Sequence, residues 1–219
     1  MRLQITRHND LPVRLLGAVM VCLVLSGCFL PTQFSAVMLI DDAGNYKFTY
    51  EGNAMSISLL KALADESLNA DNFTEEDWAA LVEREENIVK RYADEGTVAY
   101  LGGGLFTMES NFTSNINAIP YWTFPTRQGR WMSLKHDRQG NVNIRTHVAN
   151  DQYRDDLNAR GFRVNGRLVI RTNANVIAHN APESVRTGSV LEMAWDFDGI
   201  PRSAAQVRLK FPPWPTNTE

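Results

Sequence analysis

The placement of its two cysteines is the feature that most limits how this chain can fold. Both of them, Cys22 and Cys28, lie near the amino terminus, and residues 29–219 contain none. No disulfide can therefore stabilise the greater part of the chain, and a stable fold has to come from packing alone. A stretch of about 190 residues is long enough to bury a sizeable hydrophobic core in one domain.

Residues 1–27 have the organisation of a secretory signal. Three arginines and one aspartate lie in the first 14 residues, and an uncharged run, Leu15–Leu25, follows them. A membrane-spanning helix needs about 20 apolar residues, so this run is too short to be a stable span. We therefore expect residues 1–27 to be a signal peptide that the mature protein lacks.

The end of that signal, Leu25-Ser26-Gly27-Cys28, resembles the lipobox of bacterial lipoproteins. Small residues before Cys28 let the backbone enter a peptidase, and the Cys28 thiol is the group that receives diacylglycerol. We predict cleavage between Gly27 and Cys28 and a lipid anchor, palmitate included, on Cys28. Phe29 follows, and the absence of aspartate there favours the outer membrane, facing the periplasm, over the inner membrane. The alternative is an ordinary secretory signal with an unrelated cysteine.

The charge balance argues against nucleic-acid binding. The chain has 22 Lys+Arg and 25 Asp+Glu, and cleavage after Gly27 leaves 19 basic and 24 acidic residues, a net charge of -5. Proteins that bind nucleic-acid phosphates carry a basic surface instead. An acidic body is also repelled by anionic lipid, so we expect the acyl chains on Cys28 to hold the protein at the membrane, and we predict no other cofactor.

The first predicted element after the anchor is a β-hairpin. Phe34–Ile40 has the apolar composition of a buried strand, and Asp41–Gly44 favours a turn. The next residues alternate between aromatic and polar side chains, which is the period-2 pattern of a strand with one aromatic face, formed by Tyr46, Phe48 and Tyr50.

Helices are predicted over Ser56–Leu68, over Thr74–Tyr92 and for a short segment that Asn150 or Asp151 would cap. The second is the strongest, because Thr74 is a suitable N-cap and three acids in the first turn favour the helix dipole. Its apolar residues recur at helical spacing: Trp78, Leu81, Val82, Val89 and Tyr92. We expect its acids Glu83, Glu85 and Glu86 to form a solvated face.

The remaining segments are predicted to be mostly strands: Val98–Glu109 with a bulge at Gly102–Gly104, Phe112–Ile119, a hairpin of Arg130–His136 and Asn141–Ala149, Arg167–Thr172, Val176–His179, Ser189–Phe197 and Ala205–Phe211. A two-residue turn at Gln139-Gly140 would pair His147 with Met132.

These elements indicate one α+β domain over residues 34–211, with an antiparallel sheet, an N-terminal β-hairpin and two or three helices. Residues 28–33 are expected to be a lipidated tether, because Pro31 interrupts regular structure. Residues 212–219 are expected to be a Pro-rich disordered tail.

The sequence contains no motif for catalysis or metal binding. His136, His147 and His179 lack the spacing of a zinc site, no G-x-S-x-G pattern occurs, and neither Ser110 nor Ser133 has an identifiable base. We therefore predict that the protein is not an enzyme and holds no metal.

Aromatic side chains are concentrated near residue 125. One interpretation is core packing, and the other is an apolar groove for an acyl chain or a protein partner. The residues that would form such a groove are Tyr121, Trp122, Phe124 and Trp131.

Two regions, Asp42–Gly52 and Leu168–Asp196, resemble the LppM-like domain family of bacterial envelope lipoproteins. In the second region the similarity lies in Leu168–Thr172, Asn175–Pro182 and Leu191–Asp196. The resemblance implies a surface-anchored α+β domain that binds lipid or glycolipid. Some members carry a second hydrophobic anchor near the carboxyl terminus, whereas this chain has a polar, Pro-rich tail, so a single membrane attachment is expected.

The predicted function is that of a non-enzymatic, membrane-anchored bacterial envelope lipoprotein that binds a lipid or glycolipid in an apolar groove. The alternative is a structural or assembly subunit that docks on a larger envelope protein complex.

Overall fold

The structure is a computed structural model that describes residues 29–57, 59, 75–90, 95–125, 130–159 and 161–213. The predicted signal peptide, Cys28 and most of the predicted helix Ser56–Leu68 lie outside these residues. The described elements are β1 (Phe29–Ile40), β2 (Asn45–Ser56), α1 (Glu75–Lys90), β3 (Glu95–Gly102), β4 (Leu105–Asn115), β5 (Tyr121–Phe124), β6 (Met132–His136), β7 (Asn141–Thr146), α2 (Asp151–Ala159), β8 (Asn165–Thr172), β9 (Asn175–His179), β10 (Glu183–Thr187), β11 (Val190–Asp198) and β12 (Gln206–Lys210).

The strands form two sheets. The larger has seven strands in the order β10-β11-β8-β1-β2-β4-β3, and the smaller has five in the order β5-β6-β7-β12-β9. Strand β1 is the central strand of the larger sheet and pairs in parallel with β8, while the other described strand pairs are antiparallel.

Aromatic residues on the inner faces of the two sheets make one shared core. The predicted aromatic face of β2 is buried here, and the ring of Phe48 lies 4.8 Å from that of Trp122 on β5. On the neighbouring strand, Phe34 lies 4.8 Å from Trp131. Alternation along β1 and β2 sends nearly every second side chain into this core, which confirms the predicted hairpin of these two strands.

The predicted α+β class is wrong, because the fold is mainly β. Strands make up 57% of it and helices 15%, in two sheets with two helices among the described residues. Two segments that the sequence did not indicate as strands, β5 and β10, complete the sheets. Burial of a shared aromatic core between two sheets leaves the helices at the periphery, where α1 contacts the edge strand β3.

Residues 29–33 are part of β1 and do not form the expected tether. Phe29 is only 3% exposed, and its ring meets that of Phe106 edge-on at 5.6 Å. Pro31 is accommodated at a register irregularity between Pro31 and Gln33, which is where a sheet tolerates a residue without a backbone N–H. The first strand therefore includes the residue that follows Cys28.

The triple glycine is a hairpin turn between β3 and β4, where a bulge within one strand was expected. Gly102, Gly103 and Gly104 all have positive φ, which residues with a side chain rarely adopt. The Gly104 N–H donates to the Tyr100 hydroxyl at 3.2 Å, and the Gly104 carbonyl accepts from Ser56 at 2.9 Å. These contacts tie the turn to the end of β2.

The β6–β7 hairpin is confirmed, but its register differs from the predicted one by one residue. Met132 pairs with Thr146, and His136 pairs with Val142. The Asp137 carboxylate accepts from the backbone N–H groups of Gln139 and Asn141, at 3.0 and 2.8 Å, and so closes a four-residue loop. A one-residue change in register moves a side chain to the other face of the sheet.

Helix α1 confirms the predicted second helix between Glu75 and Lys90, and Trp78, Leu81 and Val82 of its stripe pack against the core. Its acids are not all solvated, since Glu85 is fully buried and accepts from the Ser56 hydroxyl at 3.1 Å. None of the helices within the described residues has the length and apolar character needed to cross a membrane.

Candidate functional site: a basic concavity on the five-stranded sheet

Three of the four residues proposed for an apolar groove lie in the core. Trp122, Phe124 and Trp131 are buried between the sheets, and Tyr121 alone is on the surface, at 38% exposure. The alternation of β5 explains the division, because Trp122 and Phe124 face inward while Tyr121 faces the opposite side. These four residues do not together line an open groove.

The outer face of the five-stranded sheet carries polar and basic side chains in two cross-strand rows. The first row is Tyr121, Lys135, Asn143 and Arg208. The second row is Thr123, Ser133, Arg145 and Gln206. Neighbouring positions within a row have Cα atoms about 4.5–5.5 Å apart, so long side chains from both rows can reach a single ligand.

These rows border a concavity of about 450 Å³. Ile144 and Val207, both buried, contribute to its lining. Its charged lining consists of Arg130, Lys135, Arg145 and Arg208, and no acidic side chain of the described residues lines it. The volume is within the range of small-molecule sites, and the sign of the charge favours an anionic ligand.

The four cations have no carboxylate partner among the described residues. The Arg130 guanidinium donates to the Tyr121 hydroxyl at 2.8 Å, which orients both groups at one border of the concavity. When arginine and lysine side chains have no carboxylate partner within the protein, their N–H groups are available to donate hydrogen bonds to an anionic group of a ligand.

Ser133 and His147 form a polar pair in the same concavity. The Ser133 hydroxyl lies 3.0 Å from His147 Nε2. Burial, and to a smaller extent the charges of Arg130 and Arg145, lower the pKa of His147 to about 4. At neutral pH the imidazole is therefore uncharged and acts as a hydrogen-bonding group.

This pair has the atoms of a nucleophile and a base but lacks the usual third member. No carboxylate of the described residues accepts a hydrogen bond from the imidazole of His147 to orient the ring, and a base with a pKa near 4 is weak at neutral pH. The arrangement suits ligand binding better than nucleophilic catalysis.

The structure does not bring the three histidines together. His136 is buried, His147 borders the concavity and His179 is exposed on β9. Within the described residues, no group of three or more His, Cys, Asp or Glu side chains is arranged to hold a metal ion.

Sequence reasoning missed this concavity because its residues are far apart along the chain. Arg208 lies on β12, which pairs with β7 only in the folded sheet. One signal was available: Asp41–Asn45 and Asp137–Asn141 share the pattern Asp-x-x-Gly-Asn. In both loops the carboxylate of the aspartate accepts from the backbone and side chain of the asparagine, which fixes the four-residue loop and the register that follows.

Comparison with known proteins finds matches among solved structures. No protein-family model and no curated protein matches the sequence. Among solved structures, the chain is similar to the folded domain of LppM from Mycobacterium tuberculosis, with 10% identity, a TM-score of 0.42, and coverage of 87% of this chain and 94% of that one.

Proposed function

We propose that this chain is a lipid-anchored protein of the bacterial envelope that binds a phosphate-bearing headgroup, of a lipid or glycolipid, on the outer face of its five-stranded sheet. The observation that carries the proposal is the group of four cations around one concavity that no acidic side chain of the described residues lines, in a chain of net negative charge. Attachment through Cys28 is supported by the lipobox-like sequence Leu25–Cys28.

The lining suits a phosphorylated polyol or sugar. Arginine and lysine bind phosphate oxygens through charge-assisted hydrogen bonds. Asn143, Gln206 and Tyr121 add amide and hydroxyl groups that can pair with the hydroxyls of a sugar or glycerol unit. The predicted apolar groove at Trp122 and Trp131 is replaced by this polar site, because both rings are buried.

Titration of the purified full-length lipoprotein with glucose 6-phosphate and with glucose tests the charge requirement. We expect binding of the phosphorylated probe only, and a weaker affinity in Lys135→Gln. The matched control is Lys47→Gln, which removes an exposed lysine from the other sheet and should leave the affinity unchanged. Equal binding of the two probes, or equal losses in the two variants, would count against the proposal.

Native mass spectrometry of protein extracted from membranes identifies the source of the ligand. A copurified lipid that contains phosphate would assign the headgroup to a lipid or glycolipid. An empty protein that nevertheless binds glucose 6-phosphate would assign the site to a soluble phosphorylated compound.

Cys28→Ala tests the anchor separately. We expect an unprocessed or soluble product without acyl chains in place of the membrane-bound protein, as mass spectrometry of the amino-terminal peptide and membrane fractionation would detect. A wild-type protein with an unmodified amino terminus would contradict the lipid anchor without affecting the headgroup site.

A second candidate function, docking on a larger envelope protein, is favoured by the edge strand β10. All five of its residues are exposed, and Val185 is 63% exposed. An uncovered edge strand can add a strand of a partner through its backbone groups. A photocrosslinker at position 185 should capture one defined envelope protein in intact cells, and one at the exposed Ile177 on β9 should not.

A further inference from the structure

The end of the seven-stranded sheet next to Cys28 carries an apolar row on its outer face. Leu30 pairs with Met55, and Met55 pairs with Leu105, so the three side chains lie side by side across β1, β2 and β4. Each of them is partly exposed. The next outward position on β2 and β4 is polar, with Asn53 opposite Thr107, so the apolar character is confined to the end of the sheet.

Leu101 extends this row at the glycine turn. It lies at the register irregularity between Tyr100 and Gly102 and is 54% exposed. The space around Gly103 is open, since an added Cβ would meet no atom within 4 Å. We call Leu30, Met55, Leu101 and Leu105 the apolar rim.

The apolar rim projects beyond the neighbouring strands. Strand β8 begins to pair with β1 only at Gln33, and β11 ends at Asp198, opposite the first residue of β8. Among the described strands, residues 29–32 of β1 are therefore flanked by β2 alone, and the rim lies at the end of the sheet where β1 begins.

The position of Cys28 decides what covers this rim. Phe29 is buried against Phe106, so no flexible linker would separate an acylated Cys28 from the folded domain. Acyl chains on that residue would enter a bilayer directly beside the end of the sheet. Apolar side chains held there are stabilised by leaving water for the interface of the same bilayer.

We propose that the apolar rim is a membrane-contacting surface that holds the domain directly on the bilayer in which Cys28 is anchored. This inference rests on the proposed lipidation of Cys28. The occupant is the lipid surface, because the anchor brings that surface to the rim. The opposite end of the sheet then points away from the membrane: Val185 is level with Leu39 through the pairs with Glu192 and Arg171, and ten strand residues span about 33 Å.

A single fluorescent label tests this orientation. Cleavage removes Cys22 and lipidation blocks Cys28, so Leu101→Cys introduces the one free thiol of the mature full-length chain. The variant is labelled with NBD and reconstituted into phosphatidylcholine vesicles, with or without doxyl-labelled phosphatidylcholine. The control is Val185→Cys, which places the same label at an exposed site at the far end of the sheet.

We expect a blue-shifted emission that doxyl lipid quenches at position 101, and neither change at position 185. A protein that floats with the vesicles but whose label at position 101 behaves like that at 185 would overturn the membrane-contacting rim and leave the lipid anchor intact. A protein that does not float, and in which Cys28 itself reacts with NBD, would overturn the lipid anchor and with it the inference. Circular dichroism confirms that both labelled variants are folded.

Discussion

On the outer face of the seven-stranded sheet, Arg167 contacts Glu183 at 2.8 Å and Asp196 at 2.5 Å, and Arg171 contacts Glu192 at 2.6 Å. On the outer face of the five-stranded sheet, Arg145 and Arg208 have no carboxylate partner among the described residues. The first arrangement neutralises charge within the fold. The second places like charges close together, and we expect their repulsion to cost stability.

The largest expected difference between the two faces is in ligand affinity. Arg145→Glu combined with Arg208→Glu should weaken binding of glucose 6-phosphate by about 100-fold or more, because two charge-assisted contacts become repulsive. The matched double variant, Arg167→Glu with Arg171→Glu, should change the affinity by less than about twofold, since exposed charges act over short distances in salt. Similar losses in both double variants, measured by calorimetric titration, would remove the distinction between the faces.

The second largest expected effect is on the free energy of unfolding, and it compares a hairpin loop from each of the two sheets. A Cβ at Gly140, in the β6–β7 loop, would lie 2.2 Å from the Phe211 carbonyl oxygen, whereas one at Gly188, between β10 and β11, would meet nothing within 4 Å. Both residues have positive φ. We expect Gly188→Ala to lower the free energy of unfolding by about 1 kcal/mol from backbone strain.

Gly140→Ala should lower the free energy of unfolding by about 3 kcal/mol or more, because backbone strain is combined with a clash against the backbone of Phe211. Urea unfolding measures both values. Equal losses would show that the contact of Gly140 with Phe211 can relax, and that this loop does not fix the register of the basic face.

A smaller effect is the pH dependence that His147 adds to the five-stranded sheet. Its pKa is about 4 in the folded protein and 6.5 in an unfolded chain. Between these values the unfolded chain binds a proton that the folded protein excludes, so the free energy of unfolding should decrease as the pH falls from 6.5 toward 4. His147→Gln should lack this part of the decrease, and His179→Gln should retain it. If the pH dependence of stability were the same in His147→Gln as in the wild type, the lowered pKa of His147 would be contradicted.

The smallest expected effect is on thermal stability. Single substitutions on the two faces should shift the melting temperature in opposite directions. Arg145→Gln relieves repulsion among neighbouring cations and should raise the melting temperature slightly. Arg167→Gln removes contacts with two carboxylates and should lower it slightly, as exposed ion pairs contribute little. Two shifts of the same sign in scanning calorimetry would show that the unpaired cations carry no cost in stability.

Strand patterning made the aromatic hairpin predictable from sequence. Tyr46, Phe48 and Tyr50 alternate with polar residues, and one buried face accounts for that pattern. Strand β10 could not be found in this way because all of its residues are exposed and its sequence, Glu-Ser-Val-Arg-Thr, has no apolar alternation. Its partner β11 supplies the hydrogen bonds that make it a strand.

The candidate site was less predictable than the fold. His147 was expected opposite Met132, which faces the core, but the four-residue loop that begins at Asp137 places it beside Ser133 on the outer face. Arg208 joins the same surface only because β12 pairs with β7. Pairing between distant strands depends on the whole fold, so local composition carries no sign of it.

The central position of β1 has a consequence for how the protein is made. Residues 29–40 emerge early in synthesis and are followed closely by their partner β2, yet their other edge pairs with β8, where Gln33 lies opposite Asn165. Until the carboxyl-terminal part of the chain arrives, that edge presents unpaired backbone groups to any other nascent strand. The seven-stranded sheet therefore cannot form completely until β8, β10 and β11 have been synthesised, and the first strand needs protection from wrong pairing until then.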